Sequence, residues 1–160
     1  MESFAIQDFY TDEVSVCYGC GRLNEHGLQI KSYWDGDELI CSYRPKPYHT
    51  AIPGYVYGGL IASIIDCHST GTAAAEAYRK SGSEPGTEPH FRFVTASLHV
   101  DYLRPTPIDS NLIVRAQVKE AKKRKVIVES SLFANDVICA RGEVIVVQIS
   151  EDWLQKLAAG

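Results

Sequence analysis

No stretch of this 160-residue sequence approaches the roughly 18 consecutive apolar residues of a membrane-spanning helix. The opening Met1-Glu2-Ser3-Phe4 lacks a basic segment followed by a long apolar one, so no secretory signal is expected. Positive charge is scarce: sixteen Lys and Arg face twenty Asp and Glu, for a formal net charge of −4. Nucleic-acid binding draws much of its affinity from neutralised phosphates, so a nucleic-acid partner is not expected. The five cysteines are odd in number and cannot all pair within one chain. They do not form a disulfide framework, and a reducing, cytoplasmic setting is the expectation. Internal repeats and low-complexity segments are absent. What is present, 45% hydrophobic and 22% charged residues, excludes a disordered or collagen-like chain. The length suits one domain over 1–160 with a single core.

The first 26 residues are mixed in character and read as an N-terminal extension. Leu28-Gln29-Ile30-Lys31 alternates apolar with polar and predicts a short strand. Leu39, Cys41 and Tyr43 share one face of a second, with Asp35-Gly36-Asp37 as the turn between them. Pro45, Pro47, Pro53 and Gly54 then oppose regular structure. From about Gly58 to about Lys80 the period becomes helical: Leu60, Ile61, Ile64 and Ile65 recur, and alanines crowd 73 to 77. Ser81-Gly82-Ser83 and Glu84-Pro85-Gly86 end that helix.

The second half is β-patterned. Val94, Ala96, Leu98, Val100 and Tyr102 alternate on one face. Leu112, Val114, Ala116 and Val118 form the next run, and Val126, Val128, Ser130 and Leu132 another. Val137–Ile149 is the last. Neighbours of this kind predict antiparallel meander pairing. Ser150 has the chemistry to cap a short closing helix within 150–160. The sum is an α+β chain in which a curved antiparallel sheet wraps one long, largely apolar helix.

Asp66 is the most informative residue. A carboxylate between Ile65 and Cys67 in mid-helix is costly unless solvated or paired, and it belongs either on an exposed stripe or in a functional site. Tyr57-Gly58-Gly59 stands just before the helix. Glycines there allow close backbone approach, and the first N–H groups of a helix lack internal partners. Those groups carry the positive end of the dipole and suit a developing oxyanion. A plain tight turn into the helix accounts for the same glycines. Gly58 and Asp66 are eight residues apart, about 12 Å along a helix axis. If both serve one carbonyl, two chains must contribute to the site.

Three blocks resemble a known family. Gly54-Tyr55-Val56-Tyr57-Gly58-Gly59-Leu60-Ile61-Ala62 with Asp66 resembles the G-x-V-H-G-G-x-x-A-x-x-x-D signature of hot-dog-fold acyl-CoA thioesterases, the PaaI-like group and its thioesterase-superfamily relatives. Val94 to Pro107 is similar to the T-A-x-L-x-V-x-Y-x-R-P-T-P block of that family. Cys17-Tyr18-Gly19-Cys20-Gly21 with Asn24, Gly27 and Leu28 matches its C-x-x-C-G-x-x-N-x-x-G-L opening. The resemblance spans roughly residues 17 to 149. It implies the hot-dog fold, edge-to-edge dimers (or dimers of dimers) with sites between chains, and an acyl-CoA substrate. Asp66 is implied as general base or nucleophile, the Gly58 N–H as the group polarising the carbonyl, and Thr95 as a positioning residue from the opposing chain. No metal or organic cofactor is implied.

This sequence departs from the pattern at Tyr57, where the family has His, and at Ala51, where some relatives have Asn or Gln. Tyr57 and Gly59 are candidate substrate contacts, and His49 or His68 are candidates to replace the missing imidazole. His68, two residues beyond Asp66, points about 200° away on an ideal helix and reads as a packing residue. Cys17 and Cys20 lack a second C-x-x-C, so a structural, reduced pair is expected rather than zinc, with His26 the nearest further ligand type. Cys67 reads as a small buried apolar residue. Lys122-Lys123-Arg124-Lys125 marks a solvated hairpin turn; Lys123, Arg124 and Arg104 are also candidates for the phosphates of coenzyme A. The alternative functions are an acyl-CoA-binding protein of the same fold and a hydratase. The latter needs a His–acid pair that does not stand out.

Overall fold

The computed structural model describes residues 4–160. Two short 3₁₀ turns, Ile6–Phe9 and Asp12–Val14, open the chain. They are followed by β1 (Tyr33–Asp35), β2 (Glu38–Tyr43), α1 (Gly58–Ser81), β3 (Arg92–Tyr102), β4 (Leu112–Lys122), β5 (Lys125–Ala134), β6 (Val137–Ile149) and α2 (Glu151–Ala159). All six strands form one antiparallel sheet in the order β1-β2-β4-β5-β6-β3. Helix α1 packs against β3, β4, β5 and β6. Ile64 and Ile65, fully buried, meet Val114, Val128, Val144 and Val146 in one core. Among the described residues no helix is long and apolar enough to cross a membrane.

The local signals explain most boundaries. Gly82 closes α1 in the left-handed region at φ 70°. The N–H of Ser83 bonds back to Tyr78 and that of Gly82 to Arg79, the paired reverse bonds of a Schellman end. Asn135 and Asp136 both take positive φ, as a two-residue hairpin turn requires. The Ser150 hydroxyl accepts the Trp153 N–H and caps α2.

Three expectations are corrected. Leu28–Lys31 is not a strand. Gln29 adopts a left-handed φ of 56°, and its side-chain amide donates to the carbonyls of Gly21 and Asn24. The strand paired with β2 is Tyr33–Asp35, across a turn at Gly36 and Asp37. Second, the meander covers only β4, β5 and β6. β3 does not pair with β4; it crosses to the far side of β6 and ends as an edge strand.

Third, Val94 does not share a face with Val100 and Tyr102. The β3–β6 register shifts between Thr95 and Ser97, so Ala96 is an extra, bulged residue. Phe93 and Thr95 lie on the helix side before the bulge, and Val100 and Tyr102 after it. Strict alternation would put residues 95 and 102 on opposite faces. The bulge is what lets both address α1.

Candidate active site

Along α1 the least buried stripe includes Gly59, Ser63, Asp66 and Thr70, at helical spacing. Asp66 is half-buried on that stripe. Its Oδ1 accepts the Thr95 hydroxyl at 2.5 Å. Both line a cavity of about 420 Å³. Phe93 and Ile149 from the sheet, Phe91 just before β3, Val14 and Val16 from the N-terminal segment and Leu154 from α2 give it a mostly apolar wall. Burial raises the pKa of Asp66 above the ordinary carboxylate range, and the Thr95 hydrogen bond partly offsets that. The resemblance implied that Thr95 acts from an opposing chain. In this structure Thr95 meets Asp66 of its own chain, from the inward side of β3 before the bulge.

Gly58 and its neighbours stand elsewhere. Tyr57 is the N-cap residue of α1 in extended conformation, and no side chain caps the helix start. The Tyr57 N–H donates to the His49 carbonyl at 2.8 Å. Its ring lies across Gly59, where an added Cβ would stand 2.3 Å from Tyr57 Cε1. Tyr102 donates its hydroxyl proton to the Gly58 carbonyl at 2.7 Å. Gly58 lines a different cavity, of about 370 Å³, with Ala51, Tyr55, Tyr102 and Arg104. Within one chain, therefore, Asp66 and Gly58 serve separate cavities.

The other candidates disperse. His49 lines neither of these cavities. Its Nδ1 accepts the Lys46 N–H, and its ring packs edge-on to Tyr48. Arg104 donates to the Ile138 carbonyl. Lys123 and Arg124 form the β4–β5 turn, with the Arg124 guanidinium on the Gln148 carbonyl, next to Ile149 of the Asp66 cavity. His68 is fully buried and held by Ser32 and the Leu39 carbonyl, as a packing residue is.

Two features escaped sequence reasoning. Arg92, 8% exposed, lines the Asp66 cavity and binds Thr11, Glu13 and Glu151. It clamps the N-terminal segment to α2. Only its place at the start of an apolar strand hinted at this. Cys67 turns to Cys17 and Cys20, and the three sulfurs lie within 4.8 Å of one another. The C-x-x-C spacing shows two of them; the third is visible only once α1 is packed on the N-terminal loop.

Residues 53–140 match the thioesterase superfamily. Among curated proteins, acyl-coenzyme A thioesterase THEM4 of Xenopus laevis is 33% identical over 98 residues, 61% of this chain and 38% of that protein. The Rattus norvegicus protein of the same name is 28% identical over 146 residues, 82% of this chain and 57% of that one. The chain thus spans roughly two fifths to three fifths of the length of these relatives. The crystal structure of a thioesterase superfamily protein from Shewanella loihica is 45% identical, with a TM-score of 0.66, over 88% of this chain and all of that one. The E. coli PaaI protein, 15% identical, shares the fold at a TM-score of 0.62 over 77% of this chain and 81% of its own. The family match alone takes in 88 of the 160 residues, and the chain belongs to the thioesterase superfamily.

Proposed function

We propose that this chain hydrolyses an acyl-CoA thioester to the free acid and CoA. The observation that carries the reading is the Thr95–Asp66 hydrogen bond in the wall of an apolar cavity, in a member of this superfamily. A thioester is already an activated acyl donor. It needs a positioned base and a stabilised oxyanion more than a strong acid. Burial makes Asp66 more basic than a solvated aspartate. In this reading Asp66 takes a proton from water as the oxygen adds to the carbonyl carbon, or attacks the carbon itself to form a mixed anhydride that water hydrolyses once CoA has left, regenerating the carboxylate. Thr95 fixes the carboxylate's orientation. The C–S bond then breaks and the CoA thiolate regains a proton. The mostly apolar wall suits the acyl group, and Lys123, Arg124 and Arg104 are the cations available to the CoA phosphates.

The oxyanion donor in this reading is the Gly58 N–H of a second copy, because Asp66 and Gly58 of one chain face different cavities. β3 supplies the meeting place. It is an edge strand with Val94 and Leu98 more than a third exposed and an unpaired side open to another strand. A homodimer built there, alone or doubled, joins the two half-sites, and one such domain accounts for the whole chain.

The test is free-thiol release from short, long and aromatic acyl-CoAs by wild type and Asp66→Asn. The variant should lose about 10²-fold or more in turnover, the range for a positioned base. Equal hydrolysis by both proteins would sink the mechanism. Tight binding of the panel without hydrolysis by either would favour the acyl-CoA-binding reading, for which the exposed Tyr57 in place of His is the motivating residue.

A further inference from the structure

We propose that Cys17, Cys20 and Cys67 form a binding site for one thiophilic divalent cation of the Zn²⁺ type. The three Sγ atoms lie within 4.8 Å of one another, and Cys17 and Cys67 are 3.9 Å apart. Thiolates around tetrahedral zinc sit about 2.3 Å from the metal and hence about 3.8 Å from each other. The cluster needs little rearrangement to close on an ion.

The fold holds these sulfurs from independent directions. The Cys17–Gly21 turn is closed by the Gly21 N–H on the Cys17 carbonyl and anchored by the Ile30 N–H on the Gly19 carbonyl. The Asn24 side chain accepts the His26 N–H and donates to the Val16 carbonyl, bracing the same loop. Cys67 comes from mid-α1, fifty residues away in sequence. Gly19 makes the approach possible: a Cβ there would stand 2.2 Å from Cys67 Sγ. Any other residue at 19 would push the third sulfur out of the cluster.

Cys17 is exposed, which gives an ion a way in. Three sulfurs leave the fourth tetrahedral position open, and all three residues line the Asp66 cavity. Arg92 in that wall is already paired with Glu13 and Glu151. On binding, each ligating thiol loses its proton to solvent and no electron is transferred.

The test is optical and independent of hydrolysis. The full chain, chelator-treated and with its thiols kept reduced, is titrated with Co²⁺ and then Zn²⁺. One equivalent of Co²⁺ should give thiolate-to-cobalt charge-transfer and intense tetrahedral d–d bands. One equivalent of Zn²⁺ should abolish them. Cys67→Ser, and separately Cys17→Ser at an exposed position that does not threaten folding, should each weaken binding by about tenfold or more. Cys139→Ser, buried elsewhere, should leave the titration unchanged. No charge-transfer band in the reduced wild type overturns the site. So does undiminished binding in a folded Cys17→Ser or Cys67→Ser variant, or loss of the bands in Cys139→Ser alone.

Discussion

His68 shows how much one residue organises away from the cavity. It is fully buried in α1, with Nε2–H on the Leu39 carbonyl at 3.1 Å and Nδ1 2.8 Å from Ser32 Oγ. A carbonyl only accepts, so Nδ1 is the unprotonated nitrogen and takes the Ser32 hydroxyl proton. Ser32 Oγ in turn receives the Gln7 side-chain amide at 2.9 Å. The network joins the N-terminal segment, the approach to β1, the helix and β2, and the Ser32 hydroxyl bond to Nδ1 requires a neutral imidazole. Burial lowers the His68 pKa from 6.5 to about 4. The unfolded chain therefore binds the extra proton first. Stability is full above pH 6.5 and falls as the pH drops toward 4, by about 3 kcal/mol at 1.36 kcal/mol per unit. Urea unfolding at pH 7 and pH 4.5 should show that loss. His68→Leu should be less stable at pH 7, because Ser32 and the Leu39 carbonyl lose their partner, yet show a shallower acid slope. An unchanged slope would remove His68 as the cause. Helical periodicity alone marked this residue as packing; its partners at 7, 32 and 39 are matters of tertiary placement.

The elements divide the same way. Alternation and turn chemistry located β2, the long helix, the four later strands and the cap at Ser150, since each is a local consequence of period and breakers. β1 was misplaced because the polar–apolar alternation at 28–31 is overridden by the Gln29 side chain, which ties down a left-handed backbone. The order of strands was not legible either, since nothing in β3 itself states that its partner is β6. The Ala96 bulge carries no residue signal, though it lets both Thr95 and Tyr102 address α1. Helix and sheet approach closely at Gly142 of β6, where a Cβ would stand 2.5 Å from Ile65 Cγ2 and 2.7 Å from Ser130 Oγ. Ile65 is fully buried and cannot swing away. Gly142→Ala should cost about 1–3 kcal/mol, the usual range for overpacking. At roughly 2–4 °C per kcal/mol for a chain of this size, calorimetry should find a distinctly lower Tm. An unchanged Tm would mean that α1 shifts freely on the sheet.

At the scale of the whole molecule, the proposed mechanism makes a demand that one chain cannot meet. Asp66 and Gly58 line different cavities, so in that mechanism each active site takes Asp66 from one copy and the Gly58 N–H from the other. Gly58→Pro isolates the second contribution. Gly58 is the first residue of α1, where proline fits and its missing N–H breaks no helical bond. Tyr57 already has ψ 129°, the extended form that a following proline imposes. A Cβ at 58 would meet the Tyr102 ring at 3.4 Å. The variant should fold and lose about 10²–10³-fold in kcat, as removal of one oxyanion donor does. Asp66→Asn should be similarly inactive by itself. Unfolding and refolding the two together then separates the possibilities. In a two-fold dimer of one copy of each, one site carries both defects and the other carries neither. Half of the randomly assembled dimers are mixed, so activity should return to about a quarter of wild type. Variants that each fold and dimerise, yet restore nothing when mixed, would place Asp66 and Gly58 in one chain's site and break the two-chain mechanism.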